Sequence, residues 1–590
     1  MSQNVFQVSR SVSGRAWVWR GGAADEGLGP DAMIRRLFLS RGARAEEIDM
    51  LRAPTIRDML PDPSIFRDMD AAAARIADAV ERGERIVLFG DYDVDGATSA
   101  SVLIRALAMF GARAGHYIPD RLLEGYGPSA DALVNLKQAG ADLVVCVDCG
   151  TQGFEALEAA RAAGLDVIVV DHHKASTELP PAAAIVNPNR IDEGVEAQGY
   201  GHLAAAGMSF LVTVAVRREL ARRGRLGDRP PNLMPLLDLV ALGTVADVVP
   251  LTGLNRAFVA QGLKIMARRG NRGLSALADA ARLERAPLAS DLGFALGPRI
   301  NAGGRVGRAD LGVRLLCGAH DEDCQALAEE LSRLNEERRA IEADVTDAAL
   351  AAAERAGNMP VAVVSGEGWH PGVIGIAASR LKDRLGAPAI VIGTDAGIGK
   401  GSGRSISGVD LGAAVLAAKD AGLLSAGGGH AMAAGLTVVA DRIGELTDFL
   451  CERLEGQVTR AQSERSLAFD LAVAPGGITP DLAESLDLAA PYGAGWPTPR
   501  VAAGPVSIVE ASVVGNGHVR TLLAGADGKR AKGIAFRAED TPLGAALLGA
   551  NGRRLFVAGR VKRDDWQQVP RAEIHIEDAA WADGAAARAA

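Results

Sequence analysis

The chain is poor in several features that usually announce a protein's class. Five cysteines among 590 residues cannot make a disulfide framework, so packed cores and a reducing, cytoplasmic setting are expected. No apolar run reaches the ~18 residues that a membrane-crossing helix needs. Met1–Arg20 lacks the charged-then-apolar pattern of a secretory leader. Aromatic residues make up only 4% against 70 glycines, so Ala-rich helices and closely packed layers are expected. Positive charge is not in excess. The formal net charge of −9 argues against a uniformly basic nucleic-acid binder, but leaves room for a local basic groove. No repeat of solenoid period is visible.

What is present reads as globular: 48% apolar and 23% charged residues, in a chain long enough for three or four domains. Residues 1–60 look like an irregular lead-in with a short helix near Asp31–Leu39. Residues 61–319 alternate short apolar strands with helices. The expected strands are Ile86–Phe89, His116–Ile118, Leu143–Val147, Val167–Val170 and Ile185–Val186, which suggest a parallel sheet covered on both faces. Residues 320–357 form a connector helix, with Leu327, Leu331, Leu334, Ile341 and Val345 at helical spacing. Residues 358–460 alternate strand and helix again as a smaller α/β domain. From 461 to 585, short strands separated by Gly, Asn and Asp turns suggest a small β-barrel. They include Val506–Val514, His518–Leu523, Gly533–Phe536 and Leu555–Arg560. Residues 583–590 read as a frayed tail.

The richest stretch is Gly90-Asp91-Tyr92-Asp93-Val94-Asp95-Gly96, which follows the apolar run Ile86–Phe89. Three carboxylates in five residues repel one another unless cations neutralise them. Asp148 follows Leu143–Val147, Asp171-His172-His173 follows Val167–Val170, and Asp247 ends the apolar run Ala241–Ala246. Parallel strands align their carboxyl ends, so these residues are expected to converge there. Carboxylates with an imidazole suit Mn²⁺ or another first-row ion, and an all-oxygen set suits Mg²⁺. So many ligands suggest two ions, the arrangement used for phosphate-ester hydrolysis.

Each residue alone has a plainer reading. A strand-end Asp is usually a helix cap or turn former, and Asp171 suits the part of an orienter that holds a histidine. Cys146 and Cys149 share a Cys-x-x-Cys spacing, but no second pair completes a zinc site. The arginines at 217, 218, 222, 223 and 225 read as a solvated helix end.

Together, Asp91–Gly96, Val147–Gly150, Asp171–His173 and Gly243–Asp247 resemble the four ordered motifs of the DHH phosphoesterase superfamily. Gly297-Pro298-Arg299-Ile300-Asn301-Ala302-Gly303-Gly304-Arg305 is similar to the arginine motif of the RecJ single-strand-specific exonucleases. Trp369–Ile376, Gly401–Ser405 and Gly427–Ala431 resemble that family's DHHA1 domain, and the β-rich end its oligonucleotide-binding (OB) barrel. Two positions depart from it: Ser407, where relatives often carry proline, and Trp496, where they often carry asparagine. The resemblance implies that Asp93, Asp95, Asp148, His172 and Asp247 bind two divalent ions, Mn²⁺ or Mg²⁺, with Asp91 close by and Asp148 bridging. It implies that His173 faces phosphate or assists proton transfer. Arg299, Asn301 and Arg305 would reach the DNA backbone, with Arg305 also offsetting charge during hydrolysis. His370, Ser402, Arg404 and His430 would contact nucleic acid from the second domain.

The expected activity is 5′→3′ exonucleolytic hydrolysis of single-stranded DNA to 5′-mononucleotides, in repair and recombination. A monomer is implied, with a helicase and a single-strand-binding protein as candidate partners. The competing readings are a phosphodiesterase of short oligonucleotides or cyclic dinucleotides, and an inactive replication scaffold. Phe536 and Trp566 are the candidate base-stacking aromatics of the barrel, though a place in the barrel core suits each of them at least as well.

Overall fold

The computed structural model describes residues 4–21, 29–121, 123–564 and 570–582. The chain forms two compact units. The larger is Pro54–Val458 with Gly493–Gly495, and the smaller gathers the residues before and after it.

In the larger unit the continuous apolar runs become five parallel strands: β1 (Ile86–Gly90), β2 (Ala114–Tyr117), β3 (Leu143–Val147), β4 (Asp166–Val170) and β5 (Ala184–Val186). Every residue of β1 and β3 is buried, as strands covered on both faces require. Val87, Phe89, Val144, Cys146 and Val169 pack with Leu133 and Leu157 of the flanking helices. The strand order is β2-β1-β3-β4-β5. The chain leaves β1 to one side and resumes at β3 on the other, so a crevice opens between their carboxyl ends. Asp91 follows β1 and Asp148 follows β3, which puts both acids at that crevice.

The helices bring the other groups. Asp93 caps α1 (Val94–Met109), its Oδ1 accepting from the backbone N–H of Asp95 at 2.8 Å and of Gly96 at 3.1 Å. A side chain at position 96 would collide with the Asp91 carbonyl, so the tight strand-to-helix turn needs glycine there. Then come α2 (Ala205–Arg222), α3 (Leu237–Ala246), α4 (Gly253–Met266), a π-helical turn over Leu292–Leu296, α5 (Gly297–Val306) and α6 (Asp321–Ala356). One expectation is corrected. Asp247 does not follow a strand but stands at the C-terminal cap of α3. Leu237–Thr244 is buried at every residue, and a helix buried all round loses the periodicity that separates it from a buried strand.

The far end of α6 belongs to the core of a second sheet, where Val345, Ala349 and Ala353 pack against Ala377, Leu381 and Val391. That sheet contains β6 (Ala362–Glu367), β7 (Ala389–Asp395), β8 (Ile398–Arg404), β9 (Ala426–His430) and β10 (Ala433–Val439), in the order β9-β10-β8-β7-β6. Only β6 and β7 run parallel. Helices α7 (Ile374–Leu385) and α8 (Leu411–Asp420) pack against it.

The smaller unit contains a closed five-stranded barrel: β11 (Val501–Val514), β12 (His518–Ala524), β13 (Arg530–Ala535), β14 (Arg554–Asp564) and β15 (Arg571–Trp581). It closes where β14 pairs with β11, and α9 (Pro542–Leu548) sits between the third and fourth strands. This is an OB-type barrel. The segment read as a lead-in takes part in this unit. Ala16–Trp19 runs parallel to Ser466–Phe469, and fully buried Trp17 donates its indole N–H to Asp578 Oδ2 at 3.1 Å. A four-residue strand whose partner lies hundreds of residues away leaves no sequence signal. Trp496 is buried against Phe38, ring centroids 4.9 Å apart, and donates to the Ala489 carbonyl. Ser407 is exposed in a turn. Trp566 lies outside the described residues. Among the described residues no helix is long and apolar enough to cross a membrane.

Trp17→Ala is expected to lower the stability of the smaller unit by roughly 3–5 kcal/mol, the usual cost of truncating a buried large aromatic. Urea unfolding followed by near-UV circular dichroism measures it, and a change below about 1 kcal/mol would contradict the buried pairing.

Candidate metal centre

Six side chains named from the sequence meet at the carboxyl end of the sheet. Ligand atoms of Asp91, Asp93 and Asp148 lie within 4.8 Å of one another, as do those of Asp95, His172 and Asp247. The two groups share no residue and touch through Asp148, whose Oδ1 is 3.3 Å from His172 Nε2. His172 Nε2 is also 3.7 Å from Asp247 Oδ2 and 4.0 Å from Asp95 Oδ2. Asp148 has a φ of +60°, a conformation rare outside glycine that is tolerated where surrounding structure enforces it. Asp95 is more committed than its neighbours. Its two oxygens accept the N–H groups of Ala205 at 2.7 Å and Ala206 at 3.0 Å, at the start of α2.

The tautomer of His172 follows from its surroundings. Nδ1 lies 2.9 Å from the Leu203 carbonyl, which only accepts, so Nδ1 carries the proton. Nε2 then turns a bare lone pair toward three carboxylates. Burial, then the charge of His173, holds this ring below the ordinary histidine range, so it stays neutral. Nε2 of His172, Oδ2 of Asp247 and Oδ1 of Asp91 are buried and have no hydrogen-bond partner. Lone pairs facing lone pairs in a buried site are costly unless a cation lies between them. The oxygen set with one imidazole nitrogen fits Mn²⁺ or Mg²⁺, with the nitrogen favouring Mn²⁺.

The carboxylates carry the same signature. Burial first, and the neighbouring acids second, push Asp91 up to about 8, Asp95 up to about 7 and Asp247 up to about 9. Asp148 is raised well above the carboxylate range by burial and then by Asp95, Asp93 and Asp91.

Asp171 faces away from this cluster. Its Oδ1 accepts from the His172 and His173 backbone N–H groups and from His173 Nδ1 at 2.8 Å, and its Oδ2 from Thr151 N–H at 3.1 Å. Burial acts to raise Asp171, but the hydrogen bond and charge of His173 outweigh it and hold it well below the usual range. Burial acts to lower His173, yet its bond to Asp171 dominates and pushes it up to about 9. A half-exposed imidazolium thus stands beside the acids. Tyr126, which the sequence reading missed, places its hydroxyl 3.0 Å from the Asp148 carbonyl and 3.1 Å from His173 Nδ1.

A cavity of about 550 Å³ lies within the same unit. Arg121, Arg305, Lys400, Ser402 and Arg404 line it, together with Gly375 and the backbone of Ala426–Gly428. Arg305 is anchored through Nη1 to the Gly372 carbonyl at 2.7 Å, and Arg404 through Nη1 to Ser402 Oγ at 3.0 Å. A side chain at 375 would come within 3.0 Å of both Ser402 and Arg404, so glycine there lets both groups reach the cavity. Burial, then the charge of Arg121, lowers Arg305 to about 10, which still leaves it protonated at neutral pH. Arg121 and Lys400 were not singled out from the sequence. Arg121 could have been, because it lies just past β2 at the same sheet rim as the acids.

Other expected contacts sit elsewhere. Arg299 is engaged by Ser332 Oγ and the Ala295 carbonyl and does not line the cavity. His430 is exposed on the edge strand β9. His370 accepts on Nδ1, at 3.0 Å, the N–H of Gly372, the same residue whose carbonyl anchors Arg305. Asn301 is half-buried on α5. Cys146 and Cys149 are fully buried, with Cys149 Sγ 3.4 Å from the Val147 carbonyl, and neither thiol reaches solvent.

Three family models match in chain order: the DHH family N-terminal domain over 85–244, the DHHA1 domain over 358–456 and the RecJ OB domain over 469–578. The fold and site are thus those of a DHH-type protein with DHHA1 and OB modules. The single-stranded-DNA-specific exonuclease RecJ of Dickeya dadantii is 37% identical over 524 residues, spanning 86% of this chain and 89% of its own. The protein of that name from Escherichia coli is 36% identical over 539 residues, spanning 88% and 91%. The crystal structure of RecJ in complex with Mn²⁺ from Thermus thermophilus matches with a TM-score of 0.76 at 30% identity, covering 93% of this chain and 76% of that one. The chain belongs to the RecJ family.

Protons and cations should compete at this centre. A carboxylate whose folded pKa lies above its unfolded one binds more protons when folded, so the apo-protein loses stability as pH rises through the folded pKa. For Asp91, Asp95 and Asp247 that window runs from about 4 to about 9. Mn²⁺ is therefore expected to raise the melting temperature more at pH 8 than at pH 5.5, and to release protons on binding near neutrality. Thermal melts with and without chelator, and calorimetry in buffers of different ionisation enthalpy, check this. An equal Mn²⁺ effect at both pH values would contradict the shared, proton-competing site.

Proposed function

We propose that this chain is a single-strand-specific exodeoxyribonuclease that hydrolyses DNA from a 5′ end and releases 5′-mononucleotides, with two divalent cations, Mn²⁺ or Mg²⁺. The observation that carries the reading is the pairing of two adjoining ligand groups with a basic, glycine-lined cavity in one unit. Asp91, Asp93 and Asp148 would hold one ion, and Asp95, His172 and Asp247 the other, with Asp148 between them. Cations so held supply an acidified water and offset charge on the phosphoryl oxygens.

The protein's own groups do the rest. Asp171 keeps His173 protonated and aimed outward, so His173 donates to a phosphoryl oxygen as negative charge develops there. Arg121, Arg305 and Arg404 offer forked, charge-assisted donors to a terminal 5′-phosphate in the cavity, and Ser402 and the Gly427–Gly428 backbone add neutral ones. Contacts of this kind grip backbone and carry no base preference. In the barrel, Phe536 is half-exposed at the end of β13, with His518 and His575 rings at 5.2 and 5.0 Å. Arg520 and Lys532 stand on the same outward face of β12 and β13. The second and third strands of an OB fold are the usual nucleic-acid face, and this platform suits base stacking along a long strand. A helicase and a single-strand-binding protein are candidate partners.

A phosphodiesterase of dinucleotides would share the metal centre but would have no use for the barrel. A scaffold that had lost catalysis would not need to keep six ligands converged. Digestion of single strands labelled at either end, carrying 5′-phosphate or 5′-hydroxyl, tests the reading. Labelled mononucleotides should appear at once from the 5′ label, and their first appearance from the 3′ label would overturn the polarity.

Asp148→Asn should reduce cleavage by at least about 100-fold, the upper end of what loss of even an outer-shell metal partner costs. Single-strand binding in Ca²⁺ should persist, because it draws on the cavity and barrel; retained cleavage would remove Asp148 from the centre. Arg404→Ala should narrow the preference for 5′-phosphate over 5′-hydroxyl by ~10-fold or more, the loss of one hydrogen bond to a charged group. An unchanged ratio of kcat/KM values would exclude Arg404 from the phosphate site.

A further inference from the structure

Asn187, Asn189 and Asn255 stand behind the metal ligands, and each spends both amide hydrogens on oxygens from two different segments. Asn187 Nδ2 donates to Thr151 Oγ1 at 2.9 Å and to the His173 carbonyl at 2.8 Å. Asn189 Nδ2 donates to the His172 carbonyl at 2.5 Å and to the Gly201 carbonyl at 2.9 Å. Asn255 Nδ2, on α4, donates to the His202 carbonyl at 2.7 Å and to the Pro250 carbonyl at 3.0 Å. For Asn189 and Asn255 both partners are carbonyls, so the orientation of each amide is fixed by donor chemistry.

Two of these links are in series. Asn189 ties His172 to Gly201, the next residue is His202, and Asn255 ties His202 to Pro250. The segment in the middle also supplies the Leu203 carbonyl that holds Nδ1 of His172 and the Ala205 and Ala206 N–H groups that hold Asp95. The far end lies three residues beyond Asp247. The three members of one ligand group therefore come from three separate segments, after β4, in α1 and after α3; the amide series binds the first directly, fixes the 201–206 segment whose N–H groups hold the second, and ends three residues beyond the third. The other group, Asp91, Asp93 and Asp148, makes none of these contacts.

We infer that Asn189 and Asn255 are positioning residues that set the spacing of Asp95, His172 and Asp247, and so tune the affinity of one cation position more than that of the other, which the first meets through Asp148. This rests on the metal reading given above. Loss of an amide would let two loops drift and would leave carbonyls without donors, and outer-shell losses of this kind typically weaken metal affinity by about 10–100-fold.

The test uses the full-length chain, Mn²⁺ alone, and the variants Asn189→Ala and Asn255→Ala. Asn271→Ala serves as control, because Asn271 caps the helix Arg272–Ala280 and makes no contact with the centre. Calorimetry and Mn²⁺ electron paramagnetic resonance count the ions and report whether they are coupled. The wild type and the control should bind two coupled ions. Each variant should keep one ion near wild-type affinity and bind the second about 10–100-fold more weakly, with the coupled spectrum giving way to that of an isolated ion. Fewer than two ions in the wild type would instead refute the metal reading itself. Two ions at unchanged affinity in a folded variant with a lowered apo melting temperature would overturn the inference, reducing the amides to plain structural bonds. Failure of both variants to fold would overturn it as well, and Asn189, half-buried where Asn255 is fully buried, is the substitution less exposed to that outcome.

Discussion

Mutual repulsion among buried carboxylates governs this molecule. Asp91, Asp95, Asp148 and Asp247 are crowded where the strand order reverses, each pushed toward its protonated form first by burial and then by neighbouring acids, Asp93 among them in every case. An ordinary fold would avoid this. Here the backbone enforces it: a left-handed Asp148, a glycine turn that admits no side chain, and a helix start that grips Asp95. The cost is several unfavourable charge contacts, and divalent cations are the counter-charge that relieves them. Stability, metal affinity and reactivity are therefore one coupled property of the crevice.

The basic cavity complements that acidic crevice. Net charge across the chain is negative, yet Arg121, Arg305, Lys400 and Arg404 line one hollow. Burial depresses the basicity of Arg305 and Arg404 without discharging them. On the proposed function, an anionic strand would meet fixed positive groups as well as an acid cluster that becomes attractive only once it is loaded with cations.

Much of this was legible in the sequence, for identifiable reasons. Strands such as Leu143–Val147 announce themselves because burial on both faces demands an unbroken apolar run. The acids after β1, β3 and β4 could be placed together because parallel strands share a carboxyl end. Asp247 does lie beside Asp95 and His172, but it arrives there from a helix and not a strand, since a helix apolar on every side has no period to read. Arg299 carries the motif's charge but is drawn into a structural bond with Ser332. Arg121 was readable from its place just past β2 but was passed over, whereas Tyr126 and the bracing asparagines went unnoticed because neutral amides and single loop residues carry no spacing pattern. They emerge only when the loops they join are brought together in space.

The parallel pairing of Ala16–Trp19 with Ser466–Phe469 has a consequence for biogenesis. The larger unit draws its contacts from one nearly continuous stretch and can consolidate as that stretch is made. The smaller unit must leave an early strand waiting, with Trp17 unshielded, until hundreds of later residues have emerged. During that interval the exposed indole is a sticky site on a half-made chain, and a folding helper that shelters nascent apolar segments would have its most natural point of engagement there.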